Sequence, residues 1–348
     1  MDDVLPNIAE PAALASAQLP SAPPRALHLN DLQTMEAPAL AEISHELDLR
    51  IYPGRTRHEQ IFDLVRGALD RGATVTAEGF FDPGVDSWPM LRFPRLNFLS
   101  VPEDVGIPRG LLQRFKLRPA ARISGTVRPP RDREKILMLD RLTAVEGVAP
   151  EDWNEPTQFD SLTPLFPEGR IILENTQTRS ISARAVDLLT PLGRGQRGLI
   201  VAAPRVGKTI LLKEIAKSIR VNHPEIVLII LLIDERPEEV TDLQREVDCE
   251  IYNSTFDENP RRHVQVAELV LERAKRLVEA KNDVVILLLG RRKGDARRHP
   301  DACRMQVGRR TKRCRLDFNV TYHATARGAV NAGHASPMAT HRSASDQG

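Results

Sequence analysis

A chain of 348 residues with 41% hydrophobic content is long enough for two or three domains with buried cores, and its formal net charge of only +2 means that any affinity for nucleic acid must come from local patches. Three cysteines, Cys249, Cys303 and Cys314, are too few and too odd in number for a disulfide frame and point to a reducing compartment. An acidic start and the lack of a membrane-length apolar run argue against a secretory signal and a spanning helix, so a soluble, cytoplasmic protein without a membrane partner is expected.

Residues 1–28, rich in Ala, Pro and Ser without helical or strand period, read as a disordered leader. A small helical head over 29–73 follows. Leu40, Ile43 and Leu47 share one face, and Thr56 with Glu59 spells a capping box for a helix carrying Ile61, Leu64, Val65 and Ala68. Over 74–146 the pattern turns to short strands broken by Gly and Pro, expected at 90–92, 97–101, 121–127 and 136–139. That spacing suggests a small barrel of the oligonucleotide-binding type. Its many cations, Arg92, Arg118, Arg122, Arg128, Arg131 and Lys135 among them, could track phosphates while Trp88, Phe93 and Phe98 stack on bases. Equally, the arginines could be solvated and the aromatics core. The acidic, Pro-rich stretch 147–170 around Trp153 reads as a linker.

The second half alternates strand and helix: strands at 199–201, 226–233, 251–255 and 284–289, with helices at 209–220, from 238, and at 264–278. This is the α/β pattern of a parallel sheet with crossover helices. Between the first strand and helix lies a small-residue loop that ends Gly207, Lys208, Thr209 and has Ala202 where the first glycine of a phosphate loop is usual. Backbone N–H groups at a helix start can wrap phosphate oxygens, Lys208 adds a fixed positive charge, and the Thr209 hydroxyl can ligate magnesium. Asp234 and Glu235 end the next apolar strand, where a carboxylate can orient or deprotonate an attacking water and Arg236 can meet phosphates or a neighbouring subunit.

The segments GRGQRGLIVAAPRVGKT, SIRVNHPEIVLIILLIDERPEEVT and STFDENPRRHVQVAELVLERAKRLVE together resemble the bacterial transcription termination factor Rho family, and the resemblance runs from about Leu29 to Leu288. It implies a helical head, a cold-shock-like RNA-binding barrel (an OB fold) and a RecA-like P-loop domain over 171–289. It further implies ring hexamers that bind nascent single-stranded RNA, hydrolyse ATP with Mg2+ and dislodge RNA polymerase. By the same resemblance Gly193, Arg194, Gly195, Gln196, Arg197 and Gly198, then Arg205, Val206, Gly207, Lys208, Thr209 and Ile210, and Arg236 contact ATP. Glu235 and Lys208 are catalytic, and Thr209 holds the metal. Ser87, Trp88, Pro89, Met90, Leu91 and Arg92, with Arg128, Arg131, Glu134 and Lys135, match RNA-binding positions, but Met90, Gly106 and Ile136 stand where the family has aromatics.

The resemblance stops inside the strand at 284–289, where Leu289 replaces the aspartate that in the family holds magnesium through water. The segment 290–348 lacks glutamate, is dense in arginine and reads as a disordered basic tail, either translated in a shifted frame or an RNA-binding arm. Weak or absent turnover is the expectation. A non-enzymatic homologue that keeps RNA and nucleotide binding is the alternative, and an unrelated RecA-like ATPase a further one. Loss of the later strands would also leave an exposed apolar edge beside 284–288.

Overall fold

The computed structural model describes residues 26–49, 54–84, 88–131, 134–162, 169–200, 206–291 and 317–322. Most of the leader, Ser87, Arg133, Ala202, Arg205, Cys303 and Cys314 lie outside the described residues.

The head consists of β1 (Ala26–His28), α1 (Leu29–Thr34), α2 (Ala37–Glu46) and α3 (Arg57–Asp70). α3 starts where the sequence says it should. The Thr56 side chain accepts from the Glu59 N–H, and the Glu59 carboxylate accepts from the Thr56 N–H at 2.8 Å. That reciprocal pair satisfies two donors of the first turn.

A five-stranded barrel follows, made of β2 (Thr74–Asp82), β3 (Met90–Arg92), β4 (Val105–Gly106), β5 (Arg122–Arg128) and β6 (Leu137–Val145). It closes because β2 pairs with both β3 and β5, and β1 extends it in parallel along β2. One apolar cluster runs through head and barrel, with Leu32, Ile61, Val75, Leu91, Ile123 and Leu139 in it, so the two fold as one unit.

The strand expected at 97–101 does not form. Pro94 opens a short 3-10 turn, and Asn97 and Phe98 adopt left-handed backbone at φ 49° and 60°. Asparagine tolerates that region better than most residues. The barrel strand comes later, at β4. The turn is instead a plug: Phe98 is fully buried and stacks on Tyr252 at 5.0 Å between ring centroids.

The stretch expected as a linker is partly anchored. Trp153 packs against the barrel core and donates its indole N–H to the Phe115 carbonyl at 3.0 Å. Beyond it, β7 (Arg170–Ile171) pairs with β8 (Leu192–Gly193), flanking α5 (Ile181–Leu189).

The remaining elements are β9 (Arg197–Leu199), α6 (Lys208–Asn222), β10 (Val227–Glu235), α7 (Pro237–Glu246), β11 (Glu250–Thr255), α8 (Pro260–Glu279), β12 (Val284–Arg291) and β13 (Asp317–Tyr322). They build a five-stranded, all-parallel sheet in the order β11-β10-β12-β13-β9. β13 falls within the stretch expected to be a disordered tail, and its backbone pairs on one side with β12 and on the other with β9. The edge expected to stand open beside 284–288 is therefore covered by backbone pairing, which a strand can supply through main-chain groups whatever its side chains.

Helix α8 joins the two halves. It packs on β10, β11 and β12 and also on the barrel residues Phe80, Phe98 and Ala120. Ion pairs lock the seam: Arg273 grips both Glu146 oxygens at 2.8 and 2.7 Å and lies over the Phe80 ring, and Arg118 grips both Glu279 oxygens at 2.7 Å. The Arg262 guanidinium donates to the Asn97 and Phe98 carbonyls of the plug.

Candidate nucleotide site and RNA-binding face

Because every strand of the second sheet runs the same way, the carboxyl ends of β9, β10 and β12 share one edge, the edge at which such sheets bind ligands. Gly207 is the N-cap of α6 at φ 90°, a conformation that costs other residues strain, and α6 starts at Lys208. The helix thus points its first N–H groups at the edge. Lys208 and Thr209 are half-buried, while Val206 and Ile210 are exposed. A cleft of about 540 Å³ opens beside them, walled by Ala185 and Leu189 of α5 and by Gly207, Lys208 and Ile210.

At the end of β10, Asp234 is held at φ 59° and the register with β11 shifts between Ile233 and Glu235. A non-glycine residue in left-handed backbone at a ligand edge is strain kept by its surroundings. Asp234 and Glu235 are both buried, and the next residue, Arg236, is exposed and caps α7. From the first turn of α6 the Thr209 hydroxyl donates to Glu239 Oε2 at 3.2 Å. Glu239 sits in the first turn of α7. The clue available in the sequence was its place four residues past Glu235, in the first turn of the helix that follows.

Leu289 is fully buried, paired in register with Leu232 and packed in the core under the edge. Among the described residues no three His, Cys, Asp or Glu side chains converge as a cage for a metal. A single hydroxyl with carboxylates nearby fits magnesium, which keeps much of its water and is commonly carried by phosphates.

The turn Gly193–Gln196 precedes β9. Arg194 donates to Asp283 at 2.5 Å and to Glu225 at 2.7 Å, residues that precede β12 and β10. Gln196 accepts from the Gly193 N–H at 2.8 Å, and Gly195 turns at φ 92°. These contacts put Arg194 and its turn at the amino edge of the sheet, opposite to Lys208. Arg197 and Gly198 lead up β9 toward the loop.

On the barrel, Trp88 is 55% exposed and stands alone among the aromatics expected to stack. Phe93 and Phe98 are fully buried, which corrects their reading as base platforms: both are core. Pro89, Met90, Leu91 and Arg92 are buried too. Arg92 is held inside by Asp82 at 3.2 Å and by Asp104, and burial pushes the Asp104 carboxyl up to about 6 against the pull of that guanidinium. Arg128 is clamped by both oxygens of Glu134 at 2.7 and 2.9 Å, which with the Arg131 N–H holds the Glu134 carboxyl down at about 2. Arg131 and Lys135 are exposed on the same loop. The three positions without aromatics do converge. Met90 pairs with Gly106, and a side chain at Gly106 would collide with Ile136 and Met138.

The class follows from these two sites: a nucleotide-binding parallel α/β domain of the RecA-like P-loop kind, fused to an oligonucleotide-binding barrel with a helical head. Residues 182–289 match the nucleotide-binding domain of the ATP synthase alpha/beta family, and residues 77–151 match the Rho termination factor RNA-binding domain. The chain belongs to the transcription termination factor Rho family. It is 44% identical to transcription termination factor Rho of Akkermansia muciniphila over 262 residues, covering 75% of this chain and 55% of that protein. It is also 44% identical to those of Cereibacter sphaeroides and Chromobacterium violaceum, covering 75% of this chain and 63% of each of them. The chain thus spans little more than half the length of the relatives it matches.

Proposed function

We propose that this chain binds single-stranded RNA on the barrel and ATP with Mg2+ at the carboxyl edge of the parallel sheet, and that its design is RNA-coupled ATP hydrolysis with impaired turnover. The observation that carries this reading is Gly207-Lys208-Thr209 opening α6 on the edge where β10 ends in Asp234 and Glu235. Lys208 would bind the terminal phosphates, Thr209 the magnesium, and Glu235 would orient the attacking water. Leu289, apolar and buried, removes the acceptor that would hold the metal's water, so binding outlasts hydrolysis. The family adds a cytoplasmic setting, a hexameric ring and action on RNA polymerase. Support for assembly comes from Ile181, Leu188 and Leu189 of α5, each more than 70% exposed beside the loop.

The test is separability. In titrations of the full chain, Lys208→Ala is expected to abolish ATP binding and leave RNA binding intact, while Trp88→Ala weakens RNA binding and leaves ATP binding intact. ATP binding untouched by Lys208→Ala would refute the site.

A further inference from the structure

A hydroxyl has one hydrogen to donate and lone pairs to offer. When a lone pair sits on a cation, the hydrogen needs an acceptor that turns the oxygen the right way, and such outer partners tune the metal as much as the ligands do. At this edge β12 supplies Leu289, which accepts nothing. Glu239 does accept, from the Thr209 hydroxyl at 3.2 Å. Its carboxylate lies in the first turn of α7. It is also held in place. Two further rungs bind α6 to α7, with Lys213 donating to Asp242 and to Glu246 at 2.9 Å and Lys217 donating to Glu246.

We propose that Glu239 is the positioning residue for Thr209: it takes the hydroxyl hydrogen and leaves the oxygen lone pair facing the magnesium of the bound nucleotide, a duty that Leu289 cannot perform. This rests on the reading of the loop as an ATP·Mg site. The competing explanation is that Thr209–Glu239 is merely the first rung of the inter-helix ladder. The two differ in one observable. A positioning residue acts only when the metal is present, whereas a ladder rung acts on the helices regardless.

The experiment measures the affinity of the full chain for a fluorescent, non-hydrolysable ATP analogue, once with excess Mg2+ and once with EDTA. Glu239→Ala is expected to cost roughly tenfold in the Mg2+ titration, the loss of one hydrogen bond to a charged group, and nothing in EDTA. Glu239→Gln, which keeps an acceptor oxygen, retains most of the Mg2+ effect and guards against a folding defect. Lys213→Ala, which breaks the ladder, lowers the melting temperature but leaves the ratio of the two affinities unchanged. An equal loss with and without Mg2+ in Glu239→Ala, or a ratio altered as much by Lys213→Ala, overturns the proposal while the nucleotide reading stands. A wild-type chain that binds the analogue in neither condition overturns the nucleotide reading itself.

Discussion

At the scale of single residues, the proposed RNA-binding face has fewer unpaired cations than a count of arginines implies. Arg92 is buried between two aspartates, Arg118 bonds Glu279, Arg122 bonds Glu78 and Arg128 bonds Glu134. Of the described positions proposed to meet RNA, Trp88, Arg131 and Lys135 are exposed. Stacking of one base on an aromatic ring contributes roughly 1–3 kcal/mol and is insensitive to salt. Trp88→Ala is therefore expected to lose that much RNA affinity with an unchanged salt slope. Lys135→Ala should instead shallow the slope of log affinity against log salt by about one. Titrations of an oligoribonucleotide at several salt concentrations distinguish the two, and equal slopes for both variants would contradict this division of labour.

At the scale of elements, burial explains both what could be read from the sequence and what could not. The capping box of α3, the loop–helix junction at Gly207 and the order of strands and helices from β9 to β12 were legible, because each is written in local chemistry: a cap, a small-residue loop, a period. The turn at Asn97–Phe98 was not. Its residues alternate like a strand, and what overrides the alternation is a contact with Tyr252 and Arg262, more than 150 residues away in sequence. Glu239 was missed for a similar reason, since only the packing of α7 against α6 makes it a neighbour of Thr209. The polar seam under β3 is also a tertiary product. Glu103 is fully buried, bonded to His58 at 2.7 Å, and Asp104 beside it is raised to about 6 by burial. A carboxyl with a raised folded pKa binds its proton more tightly in the fold than in the open chain, where its ordinary value is 3.8. Stability relative to Asp104→Asn should thus grow as pH falls from about 7 to about 5, by about 1 kcal/mol. Urea denaturation of the two proteins across that range checks the sign, and a difference that shrinks instead would mean that the Arg92 pairing outweighs burial.

At the scale of the whole molecule, the barrel is seated on the nucleotide domain through α8, and this seam turns two binding modules into one body. Arg273 is its central bolt, 5% exposed, with its Nη1 donating to both Glu146 oxygens and its guanidinium over the Phe80 ring. Removing one partner of a buried pair leaves the other charge uncompensated. Arg273→Ala is expected to cost about 3–5 kcal/mol and to split a single unfolding transition into two. A loss below ~1 kcal/mol with one transition retained would show the domains to be joined by other means.

At the nucleotide edge the proposal assigns ATP binding to Lys208, Thr209, Glu235 and Glu239, and traces impaired hydrolysis to the buried, apolar Leu289. The measurement that tests this most directly is ATP affinity and steady-state turnover on the same preparation, with and without single-stranded RNA, against Lys208→Ala. The expected result is saturable ATP binding lost in Lys208→Ala, with turnover far below the ~10 s⁻¹ typical of enzymes even when RNA is added. RNA-stimulated turnover at that ordinary rate, abolished by Lys208→Ala, would contradict it.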